Sequence, residues 1–286
     1  MDQRIIELYD EYTHRPLDRR TFMERLVAIV GSVGAAEATL ALIAPNYANA
    51  AIVAENDSRI ETSRFENSAS GIKGYLATPK GVKAETANNF VIVIHENRGL
   101  NPHIEDVARR AASEGFVAMA PDLLLPLGGT PKDEDQAREM FTKVDLDKTG
   151  TSLAALITDL KARNPRLKVG VVGFCWGGGM VNILATKAAN LDAGSAFYGV
   201  APKLDEVPKI KARLMMHLGA LDARVNATIP PYEEALKKAG AKAEVFYYEG
   251  ANHAFNNDTG GERYHEPSAK LAWARTMAMF KATLMG

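Results

Sequence analysis

From about residue 59 onward, short runs rich in β-branched and aromatic residues alternate with stretches whose apolar residues recur every three or four positions. That alternation is the signature of a sheet flanked by helices. Residues 60–66 and 71–78 read as an antiparallel pair leading into 90–94, Phe-Val-Ile-Val-Ile, whose unbroken apolar character suits a strand buried on both faces. Further strands are expected at 116–120, 168–172, 194–198, 213–217 and 243–248. Helical periodicity falls at 103–113, 133–144, 151–163, 180–187, 231–239 and 268–285. The result is a large, mostly parallel sheet in one α/β domain spanning residues 59–286. A Pro- and Gly-bearing loop at 121–132 is placed to roof a pocket.

The first 58 residues follow a different pattern and read as a helical N-terminal extension. Ile5, Ile6, Leu8, Tyr9 and Tyr12 mark a short helix, and Phe22, Leu26, Ile29, Val33, Ala36, Leu40 and Ile43 make one apolar face along a longer one. Arg19-Arg20-Thr21-Phe22-Met23, an apolar stretch and Ala48-Asn49-Ala50 also resemble a twin-arginine export signal, with periplasmic location as its consequence. Glu24, Arg25 and Glu37 interrupt that stretch, and each charge at membrane depth costs about 2.5–3.5 kcal/mol. The balance favours a retained extension and a cytoplasmic protein. Its apolar face is expected to pack on the catalytic domain or on a second subunit in a homodimer.

Composition narrows the chemistry. The 34 basic and 35 acidic residues nearly cancel and are dispersed, which argues against nucleic acid or a membrane surface as partner and for a small, weakly charged ligand. One cysteine excludes an intrachain disulfide and a thiolate cluster for structural zinc, and no EF-hand, Walker or HExxH pattern gives a cofactor or metal an evident seat.

That cysteine lies in Gly173-Phe174-Cys175-Trp176-Gly177, directly after a strand and before a helix. The arrangement fits the G-x-nucleophile-x-G elbow and with it an α/β-hydrolase fold. The following helix directs its N-terminal amides at the sulfur, which favours thiolate, and the backbone N–H of Trp176 is placed as an oxyanion donor. An elbow nucleophile needs a base and a group to orient it, each after a later strand. Asp222 follows strand 213–217 and His253 follows strand 243–248. His217 reads as a strand residue, and His14, His103 and His265 lie outside the pattern.

With Cys175, Asp222 and His253 set beside His95-Glu96-Asn97-Arg98-Gly99, the chain from about residue 60 onward resembles the dienelactone hydrolase family (carboxymethylenebutenolidase-like). The resemblance implies that Glu96 contacts the cysteine and helps manage its proton, and that the Asn97 backbone N–H supplies the second oxyanion donor. It implies hydrolysis of an ester or lactone through a thioacyl enzyme. Members acting on the acidic dienelactone carry an arginine four residues after the histidine, where this chain has Asn257. Arg98 and Arg138 are the candidates to replace that charge, and a broader or more neutral substrate is expected, held in part by Trp176, Tyr198 and Phe255, with Phe174 reading as core. Two other readings use the same elbow: attack on another activated ester, phosphoryl esters included, and a thiol redox sensor without turnover.

Overall fold

The computed structural model describes residues 1–15, 17–47 and 51–286. The Ala48-Asn49-Ala50 segment of the signal reading therefore lies outside the described residues. Three helices come first: α1 (Gln3–His14), α2 (Arg19–Val30) and α3 (Val33–Ile43). Each starts on a side-chain cap, Asp2, Asp18 and Ser32 accepting from the amides of Arg4, Thr21 and Ala35. The single long apolar face expected over 22–43 is a correction. Gly31 closes α2 in the left-handed region at φ 89°, Ser32 caps the next helix, and the two cross at 106°. Phe22, Leu26, Ala36 and Ile43 are buried together with Ile5, Leu8, Tyr9 and Tyr12, whereas Val33 is 61% exposed. No single described helix is long and apolar enough to cross a membrane.

The sheet has eight strands: β1 (Ile60–Asn67), β2 (Ile72–Pro79), β3 (Asn89–Ile94), β4 (Val117–Pro121), β5 (Lys168–Phe174), β6 (Ala193–Phe197), β7 (Arg213–Gly219) and β8 (Ala243–Tyr248). Their order is β1-β2-β4-β3-β5-β6-β7-β8, antiparallel through β1, β2 and β4 and parallel from β4 to β8. Among the described residues the other α-helices are α4 (Pro102–Ser113), α5 (Glu134–Phe141), α6 (Leu146–Arg163), α7 (Trp176–Lys187), α8 (Ala223–Asn226), α9 (Ile229–Lys238) and α10 (Glu266–Leu284). β3 is buried on both faces, Val91 and Val93 in one core and Phe90, Ile92 and Ile94 in the other. Residues of α4 and α10 close the first core and residues of α6, α7 and α9 the second, the layering that parallel strands require.

His217 lies in β7, fully buried, its ring 2.8 Å from Tyr248 Oη and 3.0 Å from Thr276 Oγ1. Burial, helped by the charge of Arg275, pushes its pKa down to about 3. Between the unfolded value of about 6.5 and that figure only the unfolded chain takes up the proton, so this contribution is intact above the window and lost as pH falls through it. Tyr248 and Thr276 keep other partners in Arg275 and Ser195, which makes phenylalanine a fair replacement. Urea unfolding of His217→Phe at pH 7, 6 and 5 is expected to show a shallower loss of stability than the parent, by up to about 1.4 kcal/mol per pH unit. Parallel curves would exclude His217 as the source.

Candidate active site

The elbow between β5 and α7 sets Cys175 at φ 55°, a region in which L residues are held at a cost of about 1–3 kcal/mol. Its amide donates to Phe197 O at 3.0 Å, and its carbonyl accepts from the Gly179 amide at 3.0 Å. The side chain is thereby turned out of the sheet toward a cleft. Trp176 is the first residue of α7, so its N–H has no acceptor within the helix.

Asp222 lies just after β7 and His253 after β8, and the structure brings them together, Asp222 Oδ2 being 2.6 Å from His253 Nδ1. Asp222 also accepts from the Val225 amide at 3.1 Å as the cap of α8. Burial alone would raise its carboxyl, but the charge and bond of His253, the Val225 amide and Arg224 outweigh it and hold the group below the ordinary carboxylate range. His253 Nε2 is buried, with no hydrogen-bond partner among the described residues.

The sulfur does have a neighbour, and it comes from the N-terminal extension. His14, in the last turn of α1, has Nε2 2.9 Å from Cys175 Sγ, while its Nδ1 is 3.0 Å from Asp10 Oδ1. Burial disfavours the charged ring, but Cys175 and Asp10 outweigh it and raise the His14 pKa above its ordinary value. Asp10 is fixed in turn by Arg224, Nε to Oδ2 at 2.8 Å, and Arg224 also approaches His253 Nδ1 at 3.3 Å. Sequence reasoning set His14 aside and missed Asp10 and Arg224. The one local trace is that Asp10 and His14 are four residues apart and so share a helix face.

Glu96 does not take the expected contact. Its carboxylate accepts from Tyr198 Oη at 3.3 Å and from Asn257 Nδ2 at 2.9 Å, and the recorded partner of Sγ among the described residues is His14. Two neutral donors that both reach the carboxylate explain the correction. Burial, with the charges of Glu96 and Cys175, pushes the Tyr198 phenol well above its ordinary value, so it stays a donor.

The cleft in front of Cys175 has a volume of about 1120 Å³, and Cys175, Trp176, Tyr198, Arg138, Phe141 and His253 are among its lining residues. Its walls are α5 and the α1–α2 junction. The 121–132 loop, expected to roof it, is instead folded back, Asp122 accepting from the Thr130 amide at 3.0 Å and hydroxyl at 2.8 Å, and it borders a separate cavity. Arg98 is likewise not available to a ligand: it donates to Tyr9 Oη at 3.1 Å and pairs with Glu134. Arg138 lies in the cleft wall with its guanidinium 3.9 Å from the Tyr12 ring centroid and bonded to Tyr12 O. Phe255, expected near the substrate, is fully buried in the core, as is Phe174, because both belong to the ring cluster around Phe197. Trp176 and Tyr198 do face the cleft.

The extension is bolted down around this cleft. Asn97 Nδ2 donates to Thr13 O at 2.7 Å, Tyr12 Oη to Asp135 at 2.9 Å, Gln3 Nε2 to Asn252 Oδ1 at 2.8 Å, and Arg263 Nε to Ile43 O at 2.9 Å. The buried apolar residues of the three N-terminal helices pack on one another, and it is polar bonds such as Asn97 to Thr13 and Tyr12 to Asp135 that join the extension to the catalytic domain.

Comparison with known proteins places these features in a family. Residues 72–284 match the model of the dienelactone hydrolase family, and residues 1–30 match a second model described as YqhI-like. A carboxymethylenebutenolidase-like protein of Saccharolobus solfataricus is 30% identical over 254 residues, covering 76% of this chain and 96% of the relative. Protein usf of Aquifex pyrophilus is 34% identical, covering 77% of this chain and 97% of its own. A crystal structure of a dienelactone hydrolase-like protein from Klebsiella pneumoniae superposes with a TM-score of 0.69 at 31% identity, over 77% of this chain and 98% of that one.

Proposed function

The chain belongs to the dienelactone hydrolase family and is a hydrolase, and from that premise we propose that it cleaves carboxylic ester or lactone bonds with Cys175 as nucleophile, His253 as general base and Asp222 as the group that orients it. The observation that carries the reading is the 2.6 Å Asp222–His253 bond, which makes Nδ1 the donor and leaves Nε2, without a partner among the described residues, at the cleft that the elbow sulfur enters.

The sulfur attacks the acyl carbon as its proton passes to His253 Nε2. The carbonyl electron pair moves onto oxygen, which the backbone N–H groups of Trp176 and Asn97 receive. Collapse expels the alkoxide, His253 protonates it, and Cys175 is left as a thioester. His253 then takes a proton from water, whose oxygen attacks the thioester, and the carboxylic acid departs with the thiol restored. Glu96, held by Tyr198 and Asn257, supports the oxyanion loop, and His14 takes over the resting contact with sulfur. Asn257 is committed to Glu96 and Arg98 to Tyr9 and Glu134, which leaves Arg138 in the cleft wall as the expected arginine placed to meet a charged substrate group.

Rapid quenching of the protein with a p-nitrophenyl ester, followed by mass spectrometry of the Cys175 peptide, is expected to show an acyl adduct formed with a burst of p-nitrophenol. Turnover with no adduct at any quench time would rule out the covalent route.

A further inference from the structure

We propose that His14, Cys175 and His253 form a mononuclear site for a thiophilic divalent cation, with zinc the preferred ion. One ligand atom from each of the three lies within 4.8 Å of the others. A tetrahedral zinc with bonds of about 2.0–2.1 Å to nitrogen and about 2.3 Å to sulfur sets its ligand atoms roughly 3.3–3.6 Å apart. The His14 Nε2–Sγ separation of 2.9 Å is inside that figure and the 4.8 Å limit outside it, so shifts of about an ångström or less suffice to seat the ion.

Three further features favour a metal. Both rings have an acceptor on their far nitrogen, the Asp10 carbonyl at 2.9 Å with its carboxylate at 3.0 Å on His14 Nδ1, and Asp222 at 2.6 Å on His253 Nδ1. Such partners hold a metal-binding imidazole in the tautomer whose Nε2 lone pair is free. His253 Nε2 is itself buried and unpartnered, which is costly for a polar atom unless something comes to it. The charges suit a dication, since the carboxylates of Asp10 and Asp222 and the thiolate that coordination would create outnumber the one neighbouring cation, Arg224, while the cleft leaves a fourth position for water or another ligand. A two-nitrogen, one-sulfur set discriminates against hard cations such as magnesium and calcium, which require oxygen ligands. Coordination releases the thiol proton and joins α1 to the elbow and to the loop after β8.

The test uses the full chain stripped with chelator at neutral pH and needs no ester turnover, so it stands whether or not the hydrolytic reading does. Zinc titrated in competition with a chromogenic chelator is expected to bind one ion per chain, and cobalt(II) to give a thiolate-to-metal charge-transfer band with tetrahedral visible absorption. Cys175→Ser is expected to abolish the charge-transfer band, and His14→Ala and His14→Gln, each checked for native circular dichroism, to weaken zinc at least tenfold. Wild-type protein without a charge-transfer band, zinc affinity unchanged in a folded His14 variant, or equal competition by magnesium would each overturn the proposal. Because the spectrum is read on the unaltered chain, misfolding of both histidine variants still leaves it open to refutation.

Discussion

Cys175→Ala is expected to lower kcat/KM for a p-nitrophenyl ester by at least about 10³-fold, with KM little changed. The substitution removes one atom, and alanine faces the same φ of 55° as cysteine, so the elbow is disturbed no more than it already is. What disappears is the thioester intermediate, and the imidazoles of His14 and His253 beside the missing sulfur leave only the slower attack that an imidazole nitrogen makes on an activated ester. A residual rate above water is expected from the oxyanion amides and from substrate binding, as in other triad enzymes stripped of a member. Steady-state kinetics on protein with unchanged circular dichroism decides the matter. Activity equal to the parent's would remove Cys175 from the mechanism and leave the elbow as packing.

Gly177→Ala carries the second large effect, this one on stability. A Cβ at position 177 would sit 2.5 Å from the carbonyl oxygens of both Ile94 and His95, and these are backbone atoms at the end of β3 with no rotamer to change. Either α7 lifts off the sheet or the chain at 94–95 is displaced. Overpacking of this kind costs about 1–3 kcal/mol or more, and about 3 kcal/mol at so unyielding a contact corresponds to a fall of roughly 6–12 °C in Tm. The displaced segment leads directly into Glu96 and Asn97, so turnover is expected to fall along with Tm. Calorimetry and ester kinetics on the same preparation test both; an unchanged Tm would mean that the junction of β3 and α7 has slack that its distances do not suggest.

The parts of this molecule that were legible in the chain are those whose causes are local. The central strand β3 was marked by its run Phe-Val-Ile-Val-Ile at 90–94, since a parallel strand buried on both faces can hardly be built otherwise. The elbow, and the position of Asp222 and His253 just after strands, were legible for the same reason. Helix ends were read less well. α6 begins at Leu146 and not near 151 because Asp145 accepts from the Lys148 amide, a cap overlooked beside the apolar period. The α2–α3 break is signalled by Gly31-Ser32, a left-handed stop followed by a cap, while the apolar spacing runs on across it and masks the signal. What the chain could not announce was pairing at long range. Nothing near Glu96 says that Asn257 and Tyr198 will hold it, nothing near Arg98 says that Tyr9 and Glu134 will occupy it, and nothing near His14 says that a sulfur 161 residues away will be its partner. A helix of twelve residues with caps and an apolar stripe leaves its polar face ambiguous until the neighbour is known.

The contact between His14 and Cys175 also orders events in time. During synthesis His14 leaves the ribosome before Cys175, and Cys175 before His253. The nascent chain therefore carries the residues of α1 before it has an elbow for them to cover, and the elbow residues before it has a base. Synthesis from the N-terminus fixes that sequence. Between the emergence of Cys175 and that of His253 the sulfur can meet His14 but has no base, so the triad cannot be completed until its last member has been made.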